Sequence, residues 1–372
     1  VFHQSVFNIT KALSLTAGVR LDYEKNSMNY DTSSSVDYGF SMSGMHIDFQ
    51  DLTANITEYD GKINRDRLNV LPKVALKYDF DANSNVYMSV ARGMRSGGYN
   101  VQMFSDLLQG AMQKKMMDGV KKATFAYLDK NMPMMADKIK MMISAVMPNV
   151  ELSGVETVAY SPEFSWNYEV GTHLTLADRT LMLDGALFYN RVNDMQVVRF
   201  APSGLGRMMV NAGESESCGC EVTLLWMPIR SLAISGNYGY NQVTFVDYNT
   251  ASGQDSKKGT DYSGNYVPFV PKHTMNVDAA YTFELGENAL TLGANVSGAG
   301  RIYWTESNDV SQPFYAVLGA RMSYKTPVFT VTLWGKNLLD KEYDTFYFES
   351  ASRGFEQHAK PLRVGVDFSL RF

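Results

Sequence analysis

The chain ends on the stretch LRVGVDFSLRF, residues 362–372, and this stretch decides the fold class. Apolar and polar residues alternate along it without a break. The apolar row consists of Leu362, Val364, Val366, Phe368, Leu370 and Phe372, and the row between consists of Arg363, Gly365, Asp367, Ser369 and Arg371. Because successive side chains of a β-strand point to opposite faces, the pattern predicts a strand with one apolar and one polar face. Taken alone, the stretch would also suit an edge strand of a soluble sandwich.

The length of this stretch suits a strand that crosses a bilayer, since a tilted strand of roughly 9–11 residues spans the hydrocarbon. The rest of the chain has no apolar run as long as the roughly twenty residues that a membrane-spanning helix needs. Its mean hydropathy of −0.21 is still compatible with a membrane barrel, where every lipid-facing residue is followed by one facing the lumen. The 22 Tyr and 20 Phe residues suit strands with aromatic girdles.

The same alternation recurs along the chain in about thirteen strands arranged as hairpins. Turns of a few residues alternate with loops of about ten to fifty, as in outer-membrane barrels with short periplasmic turns and long extracellular loops. The sequence therefore predicts an all-β fold, an antiparallel transmembrane β-barrel. The odd count departs from the even counts of single-chain bacterial barrels, so we expect further strands, and a signal peptide, before Val1.

Residues 103–149 break the strand pattern and are rich in methionine. Apolar residues recur every three or four positions, first at Leu108, Met112, Met116, Val120, Ala123 and Tyr127, then at Met135, Ile139, Met142, Ile143 and Val146. This spacing predicts two amphipathic helices packed as a hairpin on the outside of the barrel, in an extracellular loop. Core packing explains most helical methionines, but a soft-metal site or a pliable partner surface stays open.

Three parts follow from these patterns. Residues 1–102 hold barrel strands and a long extracellular loop over 24–69, into which the strands could extend. Residues 103–149 form the helical insertion, and residues 150–372 hold strands to the C-terminal closing strand.

Composition and motifs argue against catalysis and nucleic-acid binding. The net charge is −5, whereas phosphate binding requires a basic face. The five histidines, including His173 and His358, lack ligand spacing, so we expect no metal site, no cofactor and no enzymatic activity. Cys218 and Cys220 fall on one strand face, where a disulfide is improbable and a lipid-facing row with Val222, Leu224 and Trp226 is the simpler interpretation.

Several runs together resemble the C-terminal part of a TonB-dependent outer-membrane receptor. They are VARGMRSGGYN (90–100), SPEFSWNYEVG (161–171), LFYNRVNDMQVVRF (187–200), VNAGESESCGCEV (210–222), VPKHTMNVDAAYTF (270–283), WGKNLLDKEY (334–343) and the terminal strand. The resemblance implies a 22-stranded barrel filled by an N-terminal plug domain that contacts TonB. About thirteen strands would then lie in this chain, with the plug and about nine strands outside it. Phe372 is similar to the aromatic end that the barrel-insertion machinery reads.

The resemblance also implies that substrate contacts lie near the extracellular mouth. The candidates are Arg95 and Tyr99 after the fourth strand, and Arg301, Tyr303 and Trp304 after the tenth. Arginine suits carboxylates or catecholate oxygens, and aromatic rings suit the planar parts of an iron chelate. Tyr303 and Trp304 would equally suit an aromatic girdle at the membrane interface.

The expected function is TonB-energised import of a scarce nutrient, foremost an iron–siderophore complex, in the lipid of a Gram-negative outer membrane. Haem, cobalamin and glycan are alternative cargoes. A passive porin or structural barrel is the alternative within the membrane. A secreted soluble β-protein with a Met-rich interaction hairpin is the alternative outside it.

Overall fold

The computed structural model describes residues 1–42, 47–146, 154–200, 207–250, 259–350 and 353–371. Phe372 lies outside these residues, so its role in insertion stays a prediction. The strands are β1 (Phe2–Asn8), β2 (Leu13–Met42), β3 (Ile47–Asp79), β4 (Asn85–Arg95), β5 (Gly98–Tyr99), β6 (Ala159–Tyr160), β7 (Glu163–Leu176), β8 (Leu181–Phe200), β9 (Arg207–Ile229), β10 (Leu232–Asp247), β11 (His273–Leu285), β12 (Asn288–Gly300), β13 (Ile302–Tyr303), β14 (Ser311–Gln312), β15 (Tyr315–Lys325), β16 (Phe329–Lys336), β17 (Asp344–Ser350), β18 (Arg353–His358) and β19 (Arg363–Leu370). The helices are α1 (Met103–Asn131) and α2 (Ala136–Val146), with a 3₁₀ turn at Val155–Val158.

Thirteen strands form one sheet in the order β1-β2-β3-β4-β7-β8-β9-β10-β11-β12-β15-β16-β19. Every neighbouring pair is antiparallel, as β11 with β12 and β16 with β19 illustrate. The predicted all-β antiparallel architecture of about thirteen strands is therefore confirmed. Three two-stranded ribbons, β5-β6, β13-β14 and β17-β18, lie in the connections. Across the described ranges β1 and β19 do not pair, so the sheet is an open part of a barrel wall.

The terminal strand β19 shows how the alternation is used. It pairs with β16 from Phe329 opposite Leu370 to Lys336 opposite Arg363. Its apolar row is exposed, with Val364 at 72% and Val366 at 64% of full exposure. In the described part of the chain no second sheet covers this row. The row thus faces outward, as a lipid-facing row does, and the soluble-sandwich interpretation is wrong.

The opposite face of the sheet is polar. Arg321 on β15 makes two hydrogen bonds to Asp278 on β11, at 2.5 and 2.9 Å, and passes over Gly293 of the intervening β12. Tyr87 on β4 donates a hydrogen bond of 2.7 Å to Glu169 on β7. The Tyr87–Glu169 pair joins neighbouring strands, and the Arg321–Asp278 pair joins strands two apart across β12.

The connections differ in length at the two ends of the sheet. Turns of two to five residues, such as 177–180, 230–231 and 286–287, close one end, which we call the short-turn end. Connections such as 248–272, 301–314 and 337–362 leave the other, which we call the long-loop end. This is the asymmetry that the sequence predicted.

Residues 24–42 and 47–69 form strand extensions, the alternative to a long loop that the sequence left open. They belong to β2 and β3, which pair from Leu13 opposite Tyr78 to Met42 opposite Ile47 with two irregularities. The polar residues here still satisfy cross-strand hydrogen bonds, so the hairpin continues far past the membrane-spanning part as a two-stranded ribbon. The polar sequence of residues 24–69 favours a loop, because outside the lipid the alternation along a strand no longer separates apolar from polar residues.

Helix α1 supplies the ribbon with a core. Its residues Phe104, Leu107 and Ala111 pack against Ile56 and Tyr59 of β3 in a buried cluster. Further along, Val120, Thr124 and Leu128 are buried as well. The predicted helices are present, but the predicted buried face of α1 was offset: of its six residues only Val120 is buried. The ribbon, which the sequence did not reveal, selects the face that α1 buries.

The cysteines and helices complete the fold. Cys218 and Cys220 are free thiols on β9, on the same side as the exposed Val222 and Trp226, as predicted. Among the described residues, neither helix combines the length and the apolar character needed to cross a bilayer.

Candidate ligand-binding site

The long-loop end carries a cavity of about 580 Å³ that we call the aromatic vestibule. It lies where the upper parts of β8 and β9 meet the connections 248–272, 301–314 and 337–362. Its lining residues are Met195, Gln196, Val197, Val198, Arg207, Phe245, Tyr262, Val267, Pro268, Phe269, Trp304, Thr305, Glu306, Ser307, Phe346, Tyr347, Phe348 and Glu349. Cavities of this size, mostly apolar with a few polar groups, are typical of small-molecule sites.

One wall is fixed by a buried aromatic pair. The rings of Phe245 and Tyr248 lie 4.4 Å apart and both residues are 1% exposed. The Tyr248 hydroxyl donates a hydrogen bond of 2.5 Å to Glu306, and the Asn265 amide donates one of 2.9 Å to the Glu306 carbonyl. The described parts of the connection 248–272 are therefore held to the connection 301–314 by part-buried hydrogen bonds to Glu306.

A row of rings from the same two connections and from β17 also lines the cavity. Phe269 lies 5.5 Å from Trp304 and 5.5 Å from Phe346, measured between ring centroids. Phe269 has a φ of 66°, a left-handed backbone conformation that is an outlier for a bulky residue. A strained backbone conformation of this kind persists where surrounding contacts impose it. Here the conformation places the half-exposed Phe269 ring between the rings of Trp304 and Phe346. The Arg207 guanidinium lies 5.9 Å from the Phe348 ring and brings a positive charge to the rim.

Hydrogen bonds shift the pKa values of two groups at the rim, Asp309 and Tyr347. The hydroxyls of Thr305 and Ser307 donate to the Asp309 carboxylate, at 2.5 and 2.7 Å, and these bonds hold the pKa of Asp309 below its usual range. The Tyr347 hydroxyl donates a 2.9 Å hydrogen bond to Glu349, which raises the pKa of Tyr347, with smaller contributions from burial and neighbouring carboxylates. Around neutral pH this part of the rim thus combines an ionised Asp309 carboxylate with a neutral Tyr347 hydroxyl.

Three of the predicted contact residues lie near the vestibule, but only one lines it. Trp304 is 7% exposed and forms part of the wall. Tyr303 stacks on Tyr266 at 5.1 Å between centroids, and Arg301 is exposed beside it. Neither Tyr303 nor Arg301 belongs to the lining of this cavity.

The other two predicted residues lie elsewhere. Tyr99 lines a separate cleft of about 450 Å³ between the β2-β3 ribbon and residues 160–162, and its hydroxyl donates to the Asn26 carbonyl at 3.0 Å. Arg95 ends β4 with an exposed side chain. The structure therefore does not bring the five residues into one site, and their role in substrate binding stays a prediction.

Sequence reasoning missed most of the vestibule. Phe269, Phe346 and Phe348 come from two connections and Arg207 comes from β9, and only the fold brings them together. The run DTFYFES, residues 344–350, was a signal, because three aromatic residues in a polar loop have no core of their own to fill.

The sheet and its surroundings define a class of protein. An antiparallel sheet with an apolar outer row, a polar inner face, short turns at one end and long connections at the other is the wall of an outer-membrane β-barrel. Residues 1–338 match the family model described as TonB dependent receptor-like, beta-barrel. The chain belongs to this family, whose members reside in the Gram-negative outer membrane.

Known relatives agree with this assignment. The chain is 25% identical over 371 residues to the pesticin receptor of Yersinia pestis, covering 98% of this chain and 42% of that protein. It is 29% identical over 191 residues to the ferrichrome outer membrane transporter/phage receptor of Escherichia coli K12, covering 50% and 24%. The chain thus spans less than half the length of these curated relatives.

Solved structures show the same fold. The ferric yersiniabactin uptake receptor FyuA from Yersinia pestis superimposes with a TM-score of 0.65 at 22% identity, covering all of this chain and 45% of that one. The siderophore receptor PiuA from Acinetobacter baumannii superimposes with a TM-score of 0.62 at 20% identity, covering 99% and 42%.

Proposed function

We propose that this chain is part of the barrel of an outer-membrane receptor that imports a ferric siderophore with energy from the TonB system. The observation that carries the proposal is the aromatic vestibule at the long-loop end of a sheet of this family. A passive porin needs an open polar channel, whereas a cavity lined by a row of rings at the mouth suits capture of a specific ligand.

The vestibule suggests which ligands bind well. Rings at Phe269, Trp304 and Phe346 offer faces to planar aromatic groups, and Arg207 offers a positive charge to phenolate or carboxylate oxygens. Relatives whose names refer to ferric yersiniabactin and ferrichrome support an iron chelate as cargo. We propose that chelates with aromatic rings bind here more tightly than chelates without them.

In this proposal the barrel makes the first contact with the chelate. The plug domain belongs to the complete receptor. The remaining predicted residues, Arg95, Tyr99, Arg301 and Tyr303, surround the mouth and would contact the chelate as it moves inward. No catalytic group is required, because import leaves the chelate chemically unchanged until it has passed the barrel. The relatives named above are receptors and transporters, which supports a role outside catalysis.

Binding measurements on the complete receptor test the proposal. The affinities for ferric yersiniabactin, ferrichrome and a ferric tris-catecholate would be compared for the unaltered protein, Trp304→Ala and the control Trp226→Ala. Trp304 is buried in the vestibule and Trp226 is an exposed residue near the short-turn end. We expect Trp304→Ala to weaken binding of the aromatic chelates by about tenfold or more, as for a central aromatic contact, and Trp226→Ala to change it little.

Failure of all three chelates to bind the unaltered receptor would contradict the siderophore assignment. Equal effects of the two tryptophan changes would contradict the assignment of the vestibule. Uptake of radioactive iron by cells carrying the same variants provides the matching measurement in the membrane.

A further inference from the structure

The β17-β18 ribbon brings three potential metal ligands together on one face. Asp344 on β17 is the cross-strand partner of His358 on β18, and Glu356 lies two residues before His358, so it points to the same side. One ligand atom from each residue lies within 4.8 Å of the other two. The Nδ1 atom of His358 is 2.6 Å from an Asp344 carboxylate oxygen.

The backbone around these residues is fixed by its own hydrogen bonds. The Ala359 amide donates to the Tyr343 carbonyl at 2.8 Å, and the Thr345 hydroxyl donates to the Gln357 carbonyl at 2.9 Å. The Asp344 amide donates to the Gln312 side chain at 2.9 Å, which ties the base of the ribbon to the connection 301–314. The positions of Asp344 and His358 therefore follow from strand register rather than from chance meeting of surface side chains.

We propose that Asp344, Glu356 and His358 bind a divalent transition metal ion of the Zn²⁺ type. One imidazole nitrogen with two carboxylate oxygens is a donor set that suits such ions, whereas Mg²⁺ and Ca²⁺ prefer oxygen alone. Bonds of about 2.0–2.2 Å to the metal would set the donors roughly 3.3 Å apart, so the His358–Asp344 pair at 2.6 Å would open slightly while Glu356 moved inward. The exposed Glu356 side chain can rotate to close this gap.

The surroundings favour a cation. Tyr347, the cross-strand partner of Glu356, donates its hydroxyl to Glu349, so a further carboxylate lies on the same part of the ribbon. In the described ranges Asp344, Glu356 and His358 are the one His/Cys/Asp/Glu group of three whose ligand atoms approach this closely.

A bound ion would have a structural consequence. It would link β17 to β18 at the base of the ribbon whose residues Phe346 and Phe348 line the vestibule. Because each residue of the triad lies on one of two paired strands, the ion would oppose their separation and slow local opening of the ribbon.

Zinc and cobalt titrations of the full chain in detergent micelles test the proposal. Isothermal titration measures Zn²⁺ affinity and stoichiometry, and the visible absorption of Co²⁺ reports a nitrogen ligand. The variants are Asp344→Asn, Glu356→Gln and His358→Ala. The matched control is His173→Ala, because His173 also pairs with a carboxylate, Asp184 at 2.8 Å, but belongs to no such group of three in the described residues.

We expect one Zn²⁺ per chain, a loss of affinity of at least tenfold in each of the three variants, and unchanged binding in His173→Ala. Hydrogen exchange of β17 and β18 should slow when Zn²⁺ is added to the unaltered chain. Heat-modifiable migration in gels verifies that every variant is folded. Absence of Zn²⁺ binding, or binding that survives His358→Ala in a folded chain, would overturn the proposal.

Discussion

The ion pair between Asp278 and Arg321 allows the inner wall of the sheet to be tested atom by atom. The two residues lie on β11 and β15, two strands apart, and the Arg321 side chain crosses β12 at Gly293 to reach its partner. A Cβ atom at Gly293 would lie 2.8 Å from Arg321 Cζ and 2.9 Å from Nε. Gly293→Ala should therefore displace the Arg321 guanidinium and break its two hydrogen bonds to Asp278, although neither charged residue is substituted.

The size of the effect follows from the geometry. Hydrogen bonds that involve charged groups contribute about 1.5–3 kcal/mol when well formed, and fully exposed ion pairs less than about 1 kcal/mol. The side chains of Arg321 and Asp278 are 37% and 23% exposed, between these limits. We expect a coupling free energy of about 1–2 kcal/mol between them, falling below about 0.5 kcal/mol when Gly293 is alanine.

A double-mutant cycle measures this coupling. Unfolding in urea would be followed by tryptophan fluorescence in lipid vesicles, and the free energy of unfolding would be obtained for the unaltered protein, Asp278→Asn, Arg321→Met and the double variant. The same four proteins would then be measured with the additional change Gly293→Ala. Gly185→Ala is the control, because its nearest neighbour would be 3.8 Å from the new Cβ. An unchanged coupling in the Gly293→Ala background would refute the proposed path of the side chain.

Three further predictions concern the long-loop end. Asn337 is buried with a φ of 52°, and its side chain bonds the backbone of Lys341 and of Lys360. Asn337→Ala should therefore lower the free energy of unfolding by about 2–4 kcal/mol and speed proteolysis of the connection 337–362. Leu107→Ala should destabilise α1 by about 2–4 kcal/mol, whereas removing Lys115, an exposed partner of Glu58, should cost less than about 1 kcal/mol; hydrogen exchange of α1 distinguishes the two. The pKa of Asp309 is lowered in the folded protein, so ionised Asp309 should stabilise its loop at pH values above the ordinary aspartate pKa. This stabilisation should be lost as the pH falls through the folded pKa. Hydrogen exchange of the loop measured at acid pH should therefore change less with pH in Thr305→Val than in the unaltered protein.

Local patterns predicted the part of the fold that depends on local geometry. The alternation from Leu362 to Leu370 identified β19 and its outward row, and Asn337, directly after β16, bonds the backbone of Lys341 four residues on. These features depend on strand periodicity and on side chains that reach their own neighbours. They are legible without knowledge of the tertiary structure.

Features that depend on distant partners could not be predicted in this way. The β2-β3 ribbon is polar where it leaves the membrane, and its continuation as strands depends on pairing and on α1. The vestibule is assembled from three connections, and the proposed metal ligands come from two strands whose pairing includes an irregularity between Asp344 and Phe346. The spacing of histidines along the chain carries no information about such a group, and for that reason we expected no metal site from the sequence.

The most direct test of the central claim is a nitroxide scan of β19 in a Gram-negative outer membrane, with Cys218→Ser and Cys220→Ser as background. Accessibility to oxygen, which concentrates in lipid, would be compared with accessibility to a water-soluble nickel chelate at each position from 363 to 370. Our account predicts a period of two, with Val364, Val366 and Phe368 in lipid and their neighbours in water. Equal accessibility along the strand, or an apolar row protected from both reagents, would contradict it.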